Sequence, residues 1–272
     1  MILCTEPIET ACRVDFADLW EKDNGPQDSV AEINSIVIKI KFWTKGRILS
    51  MKILTAPSLF ASDLLEIGSQ VRRAQDSGAD ILHFDIMDGV YVPNISIGFD
   101  ILKAVRGCTN LPIDAHMMTV CPEKYFERLA EYGADIVTIH NDIADTEKIR
   151  VMLTDIRSYG MMSAIALKPA VDAEAVLPFL DLVDMILVMT VEPGFSGQAF
   201  MDMSDKIREI KKHIGSEPIS IAVDGGIKPN TAALCAAAGA NVFVAGSGAF
   251  GAPSMQAALE DIRIAAQGAY IG

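Results

Sequence analysis

No apolar run in this 272-residue chain approaches the ~20 residues that a membrane-spanning helix needs. The longest, 183–191, is broken by Asp184. The start, Met1-Ile2-Leu3-Cys4-Thr5-Glu6, lacks the basic residues and continuous apolar stretch of a secretory signal. Both absences point to a protein of the cytoplasm that does not enter a membrane. Cysteine is sparse as well: Cys4, Cys12, Cys108, Cys121 and Cys235 make five, and no two have C-x-x-C spacing. That excludes a disulfide framework and a thiolate zinc site, and leaves reduced, mostly buried thiols as the expectation. Positive charge is also short, with 23 Lys and Arg against 36 Asp and Glu for a net charge of −13. A broad basic face for nucleic acid is therefore excluded. A phosphate ester, if one binds, has to be held locally, as backbone N–H groups at helix starts can do.

What the chain does have, from Met51 onward, is a regular alternation. Strand-like apolar runs fall at 53–57, 81–87, 112–117, 136–140, 163–167, 185–190, 219–223 and 242–245. Amphipathic segments of helical period lie between them, among them 64–77, 123–132, 146–159, 205–214 and 230–238. Alternating strand and helix implies a parallel sheet with crossover helices, and eight such units close a (β/α)8 TIM barrel. The 222 residues of 51–272 suit the lower part of that fold's size range. The rival, an open doubly wound sheet, often carries G-x-G-x-x-G after its first strand, and none follows Pro57. Gly78, Gly133, Gly160 and Gly239 each end a helical segment, where glycine can take the left-handed turn that stops a helix. Residues 1–50 depart from the pattern: they hold both tryptophans, Trp20 and Trp43, and six basic against eight acidic residues. They are expected to be a non-barrel N-terminal extension, or a mis-assigned start, outside the catalytic domain 51–272.

Chemistry gathers at the ends of the strand-like runs. His83-Phe84-Asp85 projects His83 and Asp85 to one side, because residues two apart on a strand share a face. His116 closes the third run and Asp224 the seventh, before Gly225-Gly226. Two imidazoles and two carboxylates suit one divalent transition metal such as zinc, iron or manganese. Two acids at two strand ends can also lie on opposite sides of one small molecule, as inversion at a carbon requires. Glycine-containing turns follow the sixth, seventh and eighth runs: Pro193-Gly194-Phe195-Ser196-Gly197-Gln198, Gly225-Gly226 and Gly246-Ser247-Gly248. Each alone reads as a tight turn; together they suggest a phosphate cradle of the kind barrel enzymes build after strands seven and eight. Met87, Met118 and Met189 also fall at or beside run ends, either as core filling or as a wall of the site. His140 is expected to face the mouth or to cap its strand. His213, in Lys211-Lys212-His213, reads as solvated.

With these residues placed, the chain from about Met51 resembles the ribulose-phosphate 3-epimerase family. The matching segments are Ala56-Pro57-Ser58, His83 through Asn94 (HFDIMDGVYVPN), Asp114-Ala115-His116-Met117-Met118, Met189 through Gln198, Val223-Asp224-Gly225-Gly226 and Val244-Ala245-Gly246-Ser247. The resemblance implies a (β/α)8 barrel that interconverts D-ribulose 5-phosphate and D-xylulose 5-phosphate. It implies that His83, Asp85, His116 and Asp224 hold the metal, and that Asp85 and Asp224 are the acid–base pair. Ser58, His116, Gly194, Phe195, Ser196, Gly197, Gly225, Gly226, Gly246 and Ser247 would bind substrate, and Met87, Met118 and Met189 would wall the reacting carbon. A phosphorylated ketose is the expected partner, in a homo-oligomer. Family members often have Asn-Pro where this chain has Lys168-Pro169, and a different turn at 190–197; these departures bear on the sugar more than on the reaction. An allulose 6-phosphate 3-epimerase shares the core signatures, but its seventh turn tends to lack the second glycine, so Gly225-Gly226 favours the pentulose. A barrel lyase using a lysine, with Lys168 the strand-end candidate, and a non-catalytic phosphate-binding barrel complete the alternatives.

Overall fold

The computed structural model describes residues 53–271; the extension 1–50 lies outside the described residues. Eight parallel strands follow in order: β1 Leu54–Pro57, β2 Leu82–Met87, β3 Ile113–Met118, β4 Ile136–His140, β5 Met162–Leu167, β6 Met185–Met189, β7 Ser220–Asp224 and β8 Val242–Ala245. They form one sheet in the order β1-β8-β7-β6-β5-β4-β3-β2. A single parallel bridge, Ser58 to His83, spans the remaining joint between β1 and β2, where Asp80 and Ile81 also donate backbone N–H groups to the Thr55 carbonyl. The result is the nearly closed (β/α)8 barrel that the eight alternations imply.

Helices α1 Ile67–Asp76, α2 Phe99–Arg106, α3 Phe126–Glu131, α4 Thr146–Ser158, α5 Ser204–Ile214, α6 Pro229–Ala238, α7 Ser247–Phe250 and α8 Met255–Ala269 surround the strands. The connection after β5 is instead a 3₁₀ segment, Ala173–Phe179, which contains Pro178; proline has no N–H to continue an α-helical ladder. The glycines expected to stop helices do so, with φ of +81° at Gly78, +88° at Gly133, +81° at Gly160 and +116° at Gly239.

Strand periodicity divides the core in two. Phe84, Ile86, Ala115, Met117, Val137, Ile139, Ile186, Val188, Val223 and Phe243 face outward and pack against the helices. Leu54, Ala56, Ile136, Ala164, Ala166, Leu187, Ala222 and Val244 fill the barrel interior. On β2, β3 and β4, positions of that same interior face are polar yet buried: His83, Asp85, Asp114, His116, Thr138 and His140. Buried polar groups persist only when they are paired or bind something, so this wall of the interior is where chemistry is to be sought.

The floor of the barrel carries a repeated device. Asp80 accepts the Thr55 N–H at 2.9 Å, Asp135 the Ile113 N–H at 3.1 Å, Asp184 the Ser163 N–H at 3.0 Å and Asn241 the Ile221 N–H at 2.9 Å. Each entry residue of an even strand thereby ties down the preceding odd strand. Arg263, Arg106 and Arg157 brace the three aspartates at 2.9, 3.1 and 2.9 Å. Of the cysteines described, Cys235 is buried and Cys108 and Cys121 are half-buried, all as free thiols. His213 is half-buried rather than solvated, with its Nε2 out of solvent. Among the described residues, no helix is long and apolar enough to cross a membrane.

Candidate active site

Strands β2, β3 and β7 bring four side chains to one point at the barrel mouth. His83 Nε2, Asp85 Oδ1, His116 Nδ1 and Asp224 Oδ2 approach one another: His83 Nε2 lies 3.3 Å from Asp85 Oδ1 and 3.8 Å from Asp224 Oδ2. His116 Nδ1 lies 3.1 Å from Asp85 Oδ1 and 3.3 Å from His83 Nε2. One ligand atom from each of the four residues falls within 4.8 Å of the others, a grouping able to hold a metal ion. Metal bonds of 2.0–2.2 Å set tetrahedral ligand atoms about 3.3–3.6 Å apart, and the measured separations bracket that range. Behind the cluster, His83 Nδ1 donates to Asp114 Oδ2 at 2.9 Å, and Asp114 Oδ1 accepts from the Thr138 hydroxyl at 2.7 Å. A carboxylate behind a histidine fixes its tautomer and leaves the Nε2 lone pair facing the cluster. Asp114 has no role in the sequence reading, although its spacing from His116 already puts both on one face.

The electrostatics separate the two acids. Burial alone would raise the Asp85 carboxyl, but the His83 charge and hydrogen bonds from His116 and His83 hold it well below the usual carboxylate range. Burial dominates at Asp224, with the Asp85 charge adding to it against the opposing pull of His83, and the carboxyl is pushed up to about 6. His83 is raised well above an ordinary imidazole, since Asp85 and Asp114 outweigh its burial. Environments that push two carboxyls apart in this way are those of an acid and a base.

A pocket opens over the cluster. Its lining includes Ser58, Asp85, Met87, Met118, Met189, Gly194, Phe195, Ser196, Gly197, Asp224, Gly225, Gly226, Gly246 and Ser247. His83 and His116 lie beneath this surface, fully buried. Sequence reading overlooked Phe60, Val191 and Lys228, which also line it. Ser58 donates to Asp85 Oδ2 at 2.6 Å. Met87 and Met118 cluster with Val92, against Phe60 and Tyr91. The loop after β2 also steadies the turn after β6, since Asn94 Nδ2 donates to the Gly194 carbonyl at 2.8 Å. Asp88 organises that same loop by accepting N–H groups from Val90, Tyr91 and Val120.

Lys168 is engaged with partners other than Asp85 and Asp224. Its ammonium lies 2.9 Å from Asp142 Oδ2 and 4.2 Å from the centre of the Tyr91 ring, and it is absent from the pocket lining. Gly225, by contrast, is where the backbone admits nothing larger. Its φ is +122°, and a Cβ there would come within 2.5 Å of Val191 Cγ2. Gly225→Ala is expected to destabilise the barrel by roughly 2–6 kcal/mol, adding backbone strain to overpacking. Chemical denaturation would check this, and an unchanged midpoint would show that the turn accommodates a side chain.

Buried Asp85 and partly exposed Asp224, with two imidazoles at the end of a (β/α)8 barrel where such enzymes work, define a barrel enzyme with a polar pocket for one small molecule. The model of the Ribulose-phosphate 3 epimerase family matches residues 54–250. Among curated proteins, the ribulose-phosphate 3-epimerase of Rhodobacter capsulatus is 42% identical over 72% of this chain and 85% of its own length. That of Bacillus subtilis (strain 168) is 37% identical over 78% of this chain and 98% of its own length. Among solved structures, KGPDC from Streptococcus mutans superposes with a TM-score of 0.62 at 14% identity, covering 81% of this chain and all (100%) of that one; that likeness concerns the fold. The chain belongs to the ribulose-phosphate 3-epimerase family, isomerases that act on carbohydrates.

Proposed function

We propose that this chain inverts C3 of D-ribulose 5-phosphate to give D-xylulose 5-phosphate, using one divalent transition metal ion (zinc, iron or manganese) held by His83, Asp85, His116 and Asp224. The observation that carries the reading is the convergence of those four ligand atoms at the pocket floor, with Asp114 orienting His83 from behind. When bound, the metal supplies Lewis-acid stabilisation of the oxyanion that develops at C2.

The protein's own part is proton transfer. One carboxylate of the Asp85 and Asp224 pair removes the C3 proton, and the other delivers a proton to the opposite face of the planar enediolate; the reverse reaction exchanges their roles. The pair titrates as a unit, and burial favours the neutral carboxyl at Asp224 while the neighbouring imidazoles favour the carboxylate at Asp85. Ser58 holds Asp85 in place through its hydroxyl. Met87, Met118 and Met189 give the reacting carbon an apolar wall that limits access of water. The phosphate is assigned to backbone N–H groups of the turns around Gly194–Gly197, Gly225-Gly226 and Gly246-Ser247. Lys228 is the basic side chain in the pocket lining, so the acidic chain relies mainly on its backbone here.

Gly225-Gly226 and the names of the curated relatives favour the pentulose over allulose 6-phosphate. The placement of Lys168 weighs against a lysine-dependent lyase. Assayed side by side, ribulose 5-phosphate is expected to exceed allulose 6-phosphate in kcat/KM by at least about tenfold, the scale on which one extra carbon is discriminated. A preference for the hexulose would reverse the substrate assignment and leave the chemistry standing.

A further inference from the structure

We infer that His140 is a positioning residue for the metal-loaded cluster: its Nε2 accepts a hydrogen bond from His116 Nε2–H and so leaves the His116 Nδ1 lone pair to the ion, in place of the proton that Nδ1 otherwise shares with Asp85. The inference rests on the metal reading above. The two Nε2 atoms are 2.9 Å apart and both rings are fully buried, so no solvent competes for this contact.

Atom accounting fixes the direction of the bond. His116 Nδ1 faces the cluster, 3.1 Å from Asp85 Oδ1 and 3.3 Å from His83 Nε2. A metal ligand must present a lone pair there, so the ring proton sits on Nε2. The atom facing that proton must accept it, which puts the His140 proton on Nδ1. In the opposite arrangement His140 donates, His116 carries its proton on Nδ1, and that N–H points into the place of the ion. The tautomer of His140 therefore selects between a cluster open to a cation and one blocked by a proton.

Two further observations separate this from ordinary packing. Among the described residues, His140 Nδ1 is buried without a hydrogen-bond partner, so the contact with His116 is the ring's one hydrogen bond there and no partner on the far side dictates its tautomer. The ring is also covered: Tyr91 packs on it at 4.8 Å between centroids, while the His116 ring lies edge to edge with it at 5.0 Å, as their hydrogen bond requires. Tyr91 is itself pinned, since its hydroxyl donates to Asp142 Oδ1 at 2.7 Å while Lys168, paired with Asp142, sits over its ring. This cover limits rotation of His140 away from His116.

The test is calorimetric titration of metal-free wild type, His140→Gln and His140→Leu with Mn²⁺ and Zn²⁺, with thermal melting recorded alongside. Leucine cannot accept a hydrogen bond, and its variant is expected to bind about 10- to 100-fold more weakly, the range for loss of an outer partner of a metal ligand. Glutamine carries an amide oxygen near the Nε2 position and is expected to stay within about threefold of wild type. A leucine variant that binds as tightly as wild type overturns the assignment, and so does a glutamine variant that loses as much as leucine. A wild type that takes up neither ion overturns the metal reading and this assignment with it. Imidazole ¹⁵N spectra of the metal-loaded wild type test it without any variant: the His140 proton is expected on Nδ1, and a proton on Nε2 overturns the inference.

Discussion

Asp85→Asn and Asp224→Asn are each expected to cut turnover of ribulose 5-phosphate about 10²- to 10⁴-fold, the contribution of a positioned acid or base, while leaving the barrel folded. Turnover alone does not separate two bases from one, but isotope exchange does. With a single carboxylate left, a proton can leave and return only on one face of C3. In D₂O, each variant is then expected to exchange the C3 hydrogen of one epimer without inverting it, and the two variants are expected to choose opposite epimers. Because both carboxylates belong to the metal cluster, the assays are run at saturating metal with bound metal measured in parallel. More than about a tenth of wild-type turnover in either variant contradicts the two-base role, as does exchange of the same epimer by both.

A second large effect concerns stability in the absence of metal. The Asp224 carboxyl is raised from 3.8 to about 6 in the folded protein, chiefly by burial, and its side chain is only 18% exposed. A group raised in this way favours folding while protonated. Its contribution is fully present below about 3.8 and is lost as pH rises through about 6. Above that pH the metal-free protein bears a buried charge costing roughly 3 kcal/mol. Asp224→Asn removes that charge, so at pH 8 the metal-free variant is expected to melt up to roughly 6–12 °C higher than metal-free wild type. Saturating metal is expected to reverse the order, because only wild type offers a carboxylate as the fourth ligand. A metal-free variant that melts lower at pH 8 would show that Asp224 is not a destabilising charge in the empty cluster.

The barrel was legible in the sequence because its signals are local. Each strand is a short β-branched or apolar run, and the four helices expected to end on glycines do so at positive φ. The bounds of every strand but β4 and β8 differ from expectation by one residue at one or both ends, since the ladder, not composition, sets where pairing stops. His83, Asp85, His116 and Asp224 could be placed at strand ends from period-two alternation alone. Asp114, Thr138 and His140 matter through partners on neighbouring strands, and only the register of β2, β3 and β4 brings them together. The bracket of Tyr91, Asp142 and Lys168 joins three separate loops, which no single segment reveals. The half-burial of His213 follows from packing outside its own helix, and a run of lysines cannot report that.

The anchors on the barrel floor have a consequence for the site above them. Asp80, Asp135, Asp184 and Asn241 each rivet one odd strand to the next even one, in a sheet whose ladders link the other neighbouring strands but leave β1 and β2 joined by a single bridge. His83 and Asp85 stand on β2, beside that thin seam, while His116 and Asp224 stand on strands laddered on both sides. The spacing of the catalytic group thus hangs most on the Asp80 rivet, and substitutions there should detune the chemistry more than equally large changes at Asp135, Asp184 or Asn241.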